Sequence, residues 1–340
     1  MLILLDPRIR DADRDALDEV VKSAGCTWRE TPSPYGSLWL VEGDLDELRH
    51  TPLTLLPGVR KVITLTEPYA LAGREYQPEP TVVTVRGHRI GGGGFTIIAG
   101  PCAVESGDQL MAAAQAVKSA GADMLRGGAY KPRTSPYAFR GMGLEGLRLL
   151  REVGLSTGLP VVSEVTDPRH VEACVSNVDM LQIGTRNMSN FDLLVEVGRS
   201  GHPVLLKRGR SATVADWLLA AEYVLAQGNP NVVLCERGVR GFDPATRNLL
   251  DLAAVPVVKA RSHLPVIVDP SHATGQARFV PPMARAACAA GSDGVMIEVH
   301  ARPERARCDA EQALEPDSFR DLADDLRLLA KVTQGARAGR

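Results

Sequence analysis

FTIIAGPCAVESGDQLMAAAQAVKSAGADMLR, residues 95–126, sets two short apolar runs on either side of a helical pattern. Phe95–Ala99 and Met124–Arg126 have the length of buried strands, and Gln109–Ser119 between them has the spacing of a helix packed on one face. The same rhythm continues downstream. Strands are predicted at Pro160–Val165, Met180–Ile183, Val204–Lys207, Val232–Cys235, Pro265–Val268 and Gly294–Val299. Helical stretches separate them, including Leu144–Thr157, Asn190–Gly198, Val214–Ala226 and Ser318–Val332. Eight strands alternating with helices over roughly 240 residues predict an α/β chain built on a (β/α)8 TIM barrel spanning 95–335. A doubly wound open sheet would usually carry GxGxxG after its first strand. Here Gly91–Gly94 precedes a strand instead, and it reads as a connector.

Upstream the chain has a different period. Leu2–Leu5, a helix over Ala12–Ala24, strands at Thr27–Thr31 and Leu38–Val41, a helix over Leu45–Leu56 and a strand at Val59–Leu65 follow in order. The order βαββαβ predicts a small ferredoxin-like domain over 1–66. Residues 67–94 then read as a polar linker, Glu67–Pro80, and a short hairpin over Thr81–Ile90 turning at Arg86-Gly87.

Bulk properties exclude several classes of function. The 340 residues carry a formal charge of −2, so no global field recruits nucleic acid or an anionic membrane. Aromatic residues make up 4%, too few for base-stacking platforms. No run approaches the roughly 18 apolar residues of a membrane helix. The N-terminus turns acidic too early for a signal peptide. Six scattered cysteines without a CxxC pair point to a reducing cytoplasm.

Chemistry gathers at the C-terminal ends of barrel strands, and polar residues stand there in strand after strand. One set is cationic: Arg126, Lys131, Arg133, Arg186, Lys207 and Arg237. Six cations at one mouth call for a substrate with several negative charges, although some can instead pair with Glu164, Glu236 or Asp269. A second set can bind metal: Cys102, His272, Glu298 and Asp309, a mixed soft and hard group that suits Mn, Fe, Co or Zn. Cys102 read alone is equally a small buried residue. His300 shares a strand face with Glu298 and is a rival ligand or a proton shuttle. Cys26, Cys174, Cys235, Cys288 and Cys308 read as core or incidental. A Schiff-base lysine at Lys131 or Lys207 is a further reading of the same mouth.

The series AGPCAVES (99–106), LRGGAYKPRTSP (125–136), LQIGTRN (181–187), LLKRG (205–209), CERGVRGFD (235–243), VDPSHATG (268–275) and IEVH (297–300) closely resembles 3-deoxy-D-arabino-heptulosonate 7-phosphate (DAHP) synthase, type I-beta. In that family phosphoenolpyruvate condenses with erythrose 4-phosphate at the entry to the shikimate pathway, releasing phosphate. The resemblance implies one divalent metal ion held by Cys102, His272, Glu298 and Asp309, and it is what selects Asp309. It implies that Arg186, Lys207 and Arg237 clamp the phosphoenolpyruvate phosphate and Arg126 and Lys131 its carboxylate, with Glu164 also facing substrate. Pro132, Arg133, Thr134 and Ser135 would hold the aldose phosphate. Lys131 and His272 are the candidate proton carriers beside Cys102, with the assignment open. The sister family, 3-deoxy-D-manno-octulosonate 8-phosphate synthase, takes arabinose 5-phosphate and typically has Asn where Pro132 stands here. The resemblance further implies a homotetramer whose N-terminal domain answers to Tyr or Phe. Residues 1–65 carry no signature that selects Tyr, Phe or neither.

Overall fold

The computed structural model describes residues 1–33, 36–64, 67–133 and 135–338. The chain opens with β1 (Leu2–Leu5), α1 (Asp11–Ser23), β2 (Thr27–Ser33), β3 (Gly36–Glu42), α2 (Asp46–His50) and β4 (Val59–Ile63). The four strands form an antiparallel sheet in the order β2-β3-β1-β4. Alternation along the strands splits the side chains between two cores. Ile3, Leu5, Trp39 and Val41 pack with Leu17 and Val21 of α1. Leu2, Leu4, Leu38 and Ile63 face the other way and join the large core of the molecule. The helix expected over Leu45–Leu56 is broken. It stops at His50, Thr51 is extended, and a separate 3-10 turn covers Leu53–Leu55. Pro52 explains the break, because proline disfavours helix at the residue before it and has no N–H to donate. Leu65, at the end of the last expected strand, lies outside the described residues.

Residues 67–94 are fastened to the barrel rather than strung loosely ahead of it. Tyr69, Leu71 and Ala72 are buried, and the Glu222 carboxylate accepts from the backbone N–H groups of Ala70, Leu71 and Ala72 at 3.1, 2.7 and 2.9 Å. A hairpin comes next, β5 (Val83–Val85) and β6 (His88–Ile90). Arg86 and Gly87 at its tip have φ of 46° and 84°, the left-handed pair a tight two-residue hairpin requires.

The barrel is closed and wholly parallel, running β7 (Thr96–Gly100), β8 (Met124–Arg126), β9 (Val161–Val165), β10 (Met180–Ile183), β11 (Val204–Lys207), β12 (Val232–Glu236), β13 (Val266–Val268) and β14 (Gly294–Glu298), with β14 pairing back onto β7. The helices are α3 (Gly107–Ser119), α4 (Leu144–Thr157), α5 (Val171–Val175), α6 (Phe191–Arg199), α7 (Val214–Leu225), α8 (Ala254–Arg261), α9 (Pro270–Thr274), α10 (Val280–Ala290) and α11 (Pro316–Ala338). Inside the barrel Ile98, Met124, Val162, Met180, Leu205, Val233, Ile267 and Met296 form one apolar layer. Val83, Val85 and Ile90 of the hairpin pack beneath that layer, so the hairpin closes the N-terminal end of the barrel. Among the described residues no helix is long and apolar enough to cross a membrane.

Candidate active site

The period of two that makes the apolar layer also makes the site. Two residues beyond Met124, Val162, Met180, Leu205, Ile267 and Met296 stand Arg126, Glu164, Gln182, Lys207, Asp269 and Glu298, all at least nine-tenths buried. Arg237 occupies the matching place two residues after Cys235. Seven of the eight strands therefore pair an apolar residue in the middle of the barrel with a polar one at the C-terminal mouth; β7 has Gly100 at that place, and its polar contribution, Cys102, comes two residues later.

Sγ of Cys102, a ring nitrogen of His272 and one oxygen each from Glu298 and Asp309 lie within 4.8 Å of one another. His272 Nε2 is 3.1 Å from Glu298 Oε1 and 3.8 Å from Asp309 Oδ2, and Cys102 Sγ is 3.3 Å from Asp309 Oδ2. Those spacings suit the edges of a coordination shell with bonds of about 2.0–2.3 Å, and the S, N, O, O donor set fits a borderline divalent ion. His272 is oriented for the task. Its backbone N–H donates to Asp269 Oδ1, and its Nδ1 lies 2.7 Å from Asp269 Oδ2, which leaves Nε2 facing the cluster. Burial pulls the His272 imidazole below its ordinary value against Asp269 and Glu298, favouring the neutral ligand form. Burial works against Glu298 and Asp309, yet His272 with Arg126 for the first and His272 with Arg247 for the second hold both below the usual carboxylate range. The contact with Cys308, and then burial, push the Cys102 thiol well up. A thiolate formed there has the Lys131 ammonium 3.1 Å away as its counter-charge.

Beside the cluster opens a cavity of about 340 Å³. Arg126, Lys131, Arg133, Arg186, Lys207 and Arg237 all line it, with Glu164, His272, Asp309, Pro132 and Ser135. Two of the six cations are paired: Arg126 Nη1 is 2.7 Å from Glu298 Oε1, and Lys207 contacts Asp269. Glu236 takes Arg208 rather than Arg237. Among the described residues no carboxylate lies within salt-bridge distance of Arg186 or Arg237, and Arg237 Nε and Nη1 are buried without a hydrogen-bond partner. A buried guanidinium left unsatisfied is costly unless an anion meets it. Burial also pulls Lys131 down, but the Cys102 sulfur and Glu164 outweigh it and hold the ammonium above its usual value. A Schiff-base nucleophile needs the opposite shift.

Some expectations fail or fall elsewhere. His300 is not in the ligand group: its Nδ1 accepts from the Arg302 N–H at 3.0 Å and its Nε2 faces Glu105 at 3.8 Å. The reason is that β14 ends at Glu298, so the strand alternation that would aim His300 inward no longer applies. Cys308 is not incidental, because its sulfur is 3.4 Å from Cys102 Sγ and 2.6 Å from Arg133 Nη1. Thr134 lies outside the described residues. Gln182, Gly184 and Arg247 also line the cavity. A lone Gln at an inward position of MLQI was a signal for the first; nothing local marks Arg247, which reaches the mouth from a long loop.

Fold and site together define a class: a (β/α)8 enzyme with a cation-lined mouth beside a group able to hold a metal. The model of the DAHP synthetase I family matches residues 77–334. A phospho-2-dehydro-3-deoxyheptonate aldolase from Thermotoga maritima is 46% identical over 275 residues, 81% of each chain. The chain belongs to the DAHP synthetase I family and is an enzyme with DAHP synthase activity. The crystal structure of the aldolase (DAHP synthase) from T. maritima matches with a TM-score of 0.79 and 39% identity, covering 98% of both chains. A truncated form of the T. maritima 3-deoxy-D-arabino-heptulosonate 7-phosphate synthase matches 78% of this chain and 98% of its own, with a TM-score of 0.73 and 43% identity. A 2-dehydro-3-deoxyphosphooctonate aldolase from Magnetococcus marinus is more distant, 34% identical over 76% of this chain and 96% of its own.

Proposed function

We propose that the enzyme is metal-dependent and condenses phosphoenolpyruvate with erythrose 4-phosphate and water to give DAHP and phosphate. The observation that carries this reading is a four-donor cluster opening directly onto a cavity with unpaired arginines. Arg186, Lys207 and Arg237 take the phosphoenolpyruvate phosphate, which supplies the acceptors that the buried Arg237 lacks. Arg126 and Lys131 take the carboxylate, and Glu164 limits the positive field on that side. Pro132, Arg133, Thr134 and Ser135 hold the aldose phosphate and bring its aldehyde toward C3 of phosphoenolpyruvate. A divalent ion held by Cys102, His272, Glu298 and Asp309 supplies Lewis-acid polarisation of the aldehyde carbonyl. C3 attacks that carbonyl and water adds at C2, after which phosphate leaves. Lys131 Nζ and the Asp269-oriented His272 are the groups placed to move protons. The N-terminal βαββαβ unit is, on this reading, a ferredoxin-like regulatory domain that answers to Tyr or Phe, and the working enzyme is a homotetramer.

The test measures phosphate release from phosphoenolpyruvate with erythrose 4-phosphate or arabinose 5-phosphate, each before and after metal is stripped by chelation. Activity with the four-carbon sugar alone, lost on stripping and restored by Mn²⁺ or Zn²⁺, is expected. Turnover only with the five-carbon sugar, or full turnover after rigorous stripping, overturns the proposal.

A further inference from the structure

Each carboxylate of the metal-capable group has one oxygen turned toward the cluster and one turned away. The inward oxygens are Glu298 Oε1 and Asp309 Oδ2, the two that approach His272 Nε2. The outward oxygens are both taken. Glu298 Oε2 accepts from Gln312 Nε2 at 2.7 Å, and Asp309 Oδ1 accepts from Arg247 Nη1 at 3.2 Å. The two donors are themselves linked, since Arg247 Nη1 also donates to Gln312 Oε1 at 2.8 Å.

This chain can form in only one sense. Gln312 must give its NH₂ to the carboxylate and its carbonyl to the guanidinium; the flipped amide would set oxygen against oxygen and nitrogen against nitrogen. At 2% exposure the amide has no water to fall back on, so the wrong orientation would leave buried groups unsatisfied. Arg247 is fixed at its backbone as well. Its N–H donates to Thr274 O at 3.1 Å, the Asn248 N–H donates to Ala273 O at 2.7 Å, and Asn248 Nδ2 donates to His272 O at 3.0 Å. The segment is thereby laced to the short helix α9 that carries His272. Gly275 allows this approach: its φ is 71°, and a Cβ there would lie 2.6 Å from Arg247 Cβ. Asp309 has a φ of 53°, a left-handed conformation that Asp tolerates but that neighbours must maintain.

We infer that Gln312 and Arg247 are positioning residues that decide which oxygen of Glu298 and of Asp309 is presented to the metal, tying three of the four ligands into one unit. Neither belongs to the four-donor group itself. A carboxylate with its outer oxygen pinned cannot rotate or bind through both oxygens, so the donor set is arranged before the ion arrives. The inference rests on the metal-site reading above.

The test is Mn²⁺ binding to metal-stripped full-length enzyme by titration calorimetry, with the melting temperature of each metal-free protein measured in parallel. Gln312→Leu, close in size but unable to make either bond, is expected to weaken Mn²⁺ binding about 10- to 100-fold, the usual effect of removing a ligand's outer partner. Arg247→Met is expected to weaken it as well, and Arg247→Lys, which keeps donors for both acceptors, to recover most of the loss. Arg247 is half-exposed, so its variants remain informative if Gln312→Leu does not fold. Variants that melt lower when metal-free but bind Mn²⁺ like the parent would show a purely structural role and overturn the inference. Asp309→Asn is the control on the underlying reading. If it leaves Mn²⁺ affinity untouched while the enzyme still binds Mn²⁺, the site assignment falls and the inference falls with it.

Discussion

Gly184 shows how little separates a substrate wall from a clash. Its backbone is ordinary, φ −71° and ψ 159°, so glycine is not needed there for conformation. It is needed for space, because an added Cβ would fall well inside the van der Waals shell of Glu164 Oε1. Glu164 is the flexible partner and would move first, away from the place where it balances Lys131. Gly184→Ala is therefore expected to cost about 1–3 kcal/mol of stability while lowering kcat/KM for phosphoenolpyruvate by roughly tenfold or more, since misplacing a group near the reacting atoms is expensive in rate. Urea unfolding and steady-state kinetics on one preparation separate the two effects. An unchanged kcat/KM would remove Glu164 from the substrate-facing wall. At this scale the sequence was most legible where a residue broke a local pattern. Arg126 and Lys207 end apolar strands, and His272 stands in a polar strand-end loop. It was least legible for Cys308, whose partner Cys102 is 206 residues away and whose own neighbours look unremarkable.

Among the elements, the barrel strands were readable because each is a short, mostly apolar run alternating with helical stretches, and the hairpin because Arg86-Gly87 can take two positive φ values. The five-residue helices α5 and α9 are too short to display a helical period, and Pro52 divided a segment whose apolar spacing alone suggested one helix. The role of the hairpin was also hidden, because its partners are the inward faces of all eight strands. Ile90 is fully buried among them, so Ile90→Ala is expected to cost about 2–5 kcal/mol in urea unfolding while leaving the KM values for both substrates unchanged, the mouth being at the other end. The strap that precedes the hairpin, residues 67–80, has a pH signature of its own. His263 Nδ1 lies 2.7 Å from Thr81 Oγ1 and its Nε2 2.7 Å from Leu71 O, and burial holds the ring below its ordinary value of 6.5. The unfolded chain thus takes up a proton that the folded one resists. Its contribution to stability is whole above pH 6.5 and is lost as the pH falls through the lowered folded value. Glu222, pushed up by burial despite its three backbone donors, acts in the opposite sense, losing stability as pH rises above 4.5. Substituting the histidine alone separates them: the stability of His263→Gln should rise less with pH than the parent's in the range below 6.5. An identical slope would mean that His263 is not the titrating anchor.

For the molecule as a whole, closure of the barrel and assembly of its mouth depend on residues 96–312, and no strand of the N-terminal sheet enters either. The sheet nevertheless does not stand free. Leu2, Leu4, Leu38 and Ile63 join the core that holds Tyr69, Leu71 and Tyr76 of the strap, and the strap is fastened to the barrel through Glu222 and His263. Among the described residues the sheet is thus in apolar continuity with the strap, while the cavity lies at the C-terminal ends of the barrel strands. The alternation of strands and helices made both units visible in the sequence, but the contact between them was not. Leu4 and Leu38 look the same in a sequence whether they face α1 or the strap. Removing residues 1–66 tests the arrangement. The shortened enzyme is expected to keep its turnover and the metal dependence proposed above, since every donor and cation of the mouth remains. It should melt lower, because uncovering the apolar side chains of the strap forfeits roughly 25 cal/mol for each Å² returned to water. Any inhibition of the full chain by Tyr or Phe should vanish. Inhibition that persists in the shortened enzyme would place the effector in the barrel, and loss of turnover under conditions where it remains folded would show that the N-terminal unit holds the mouth in shape.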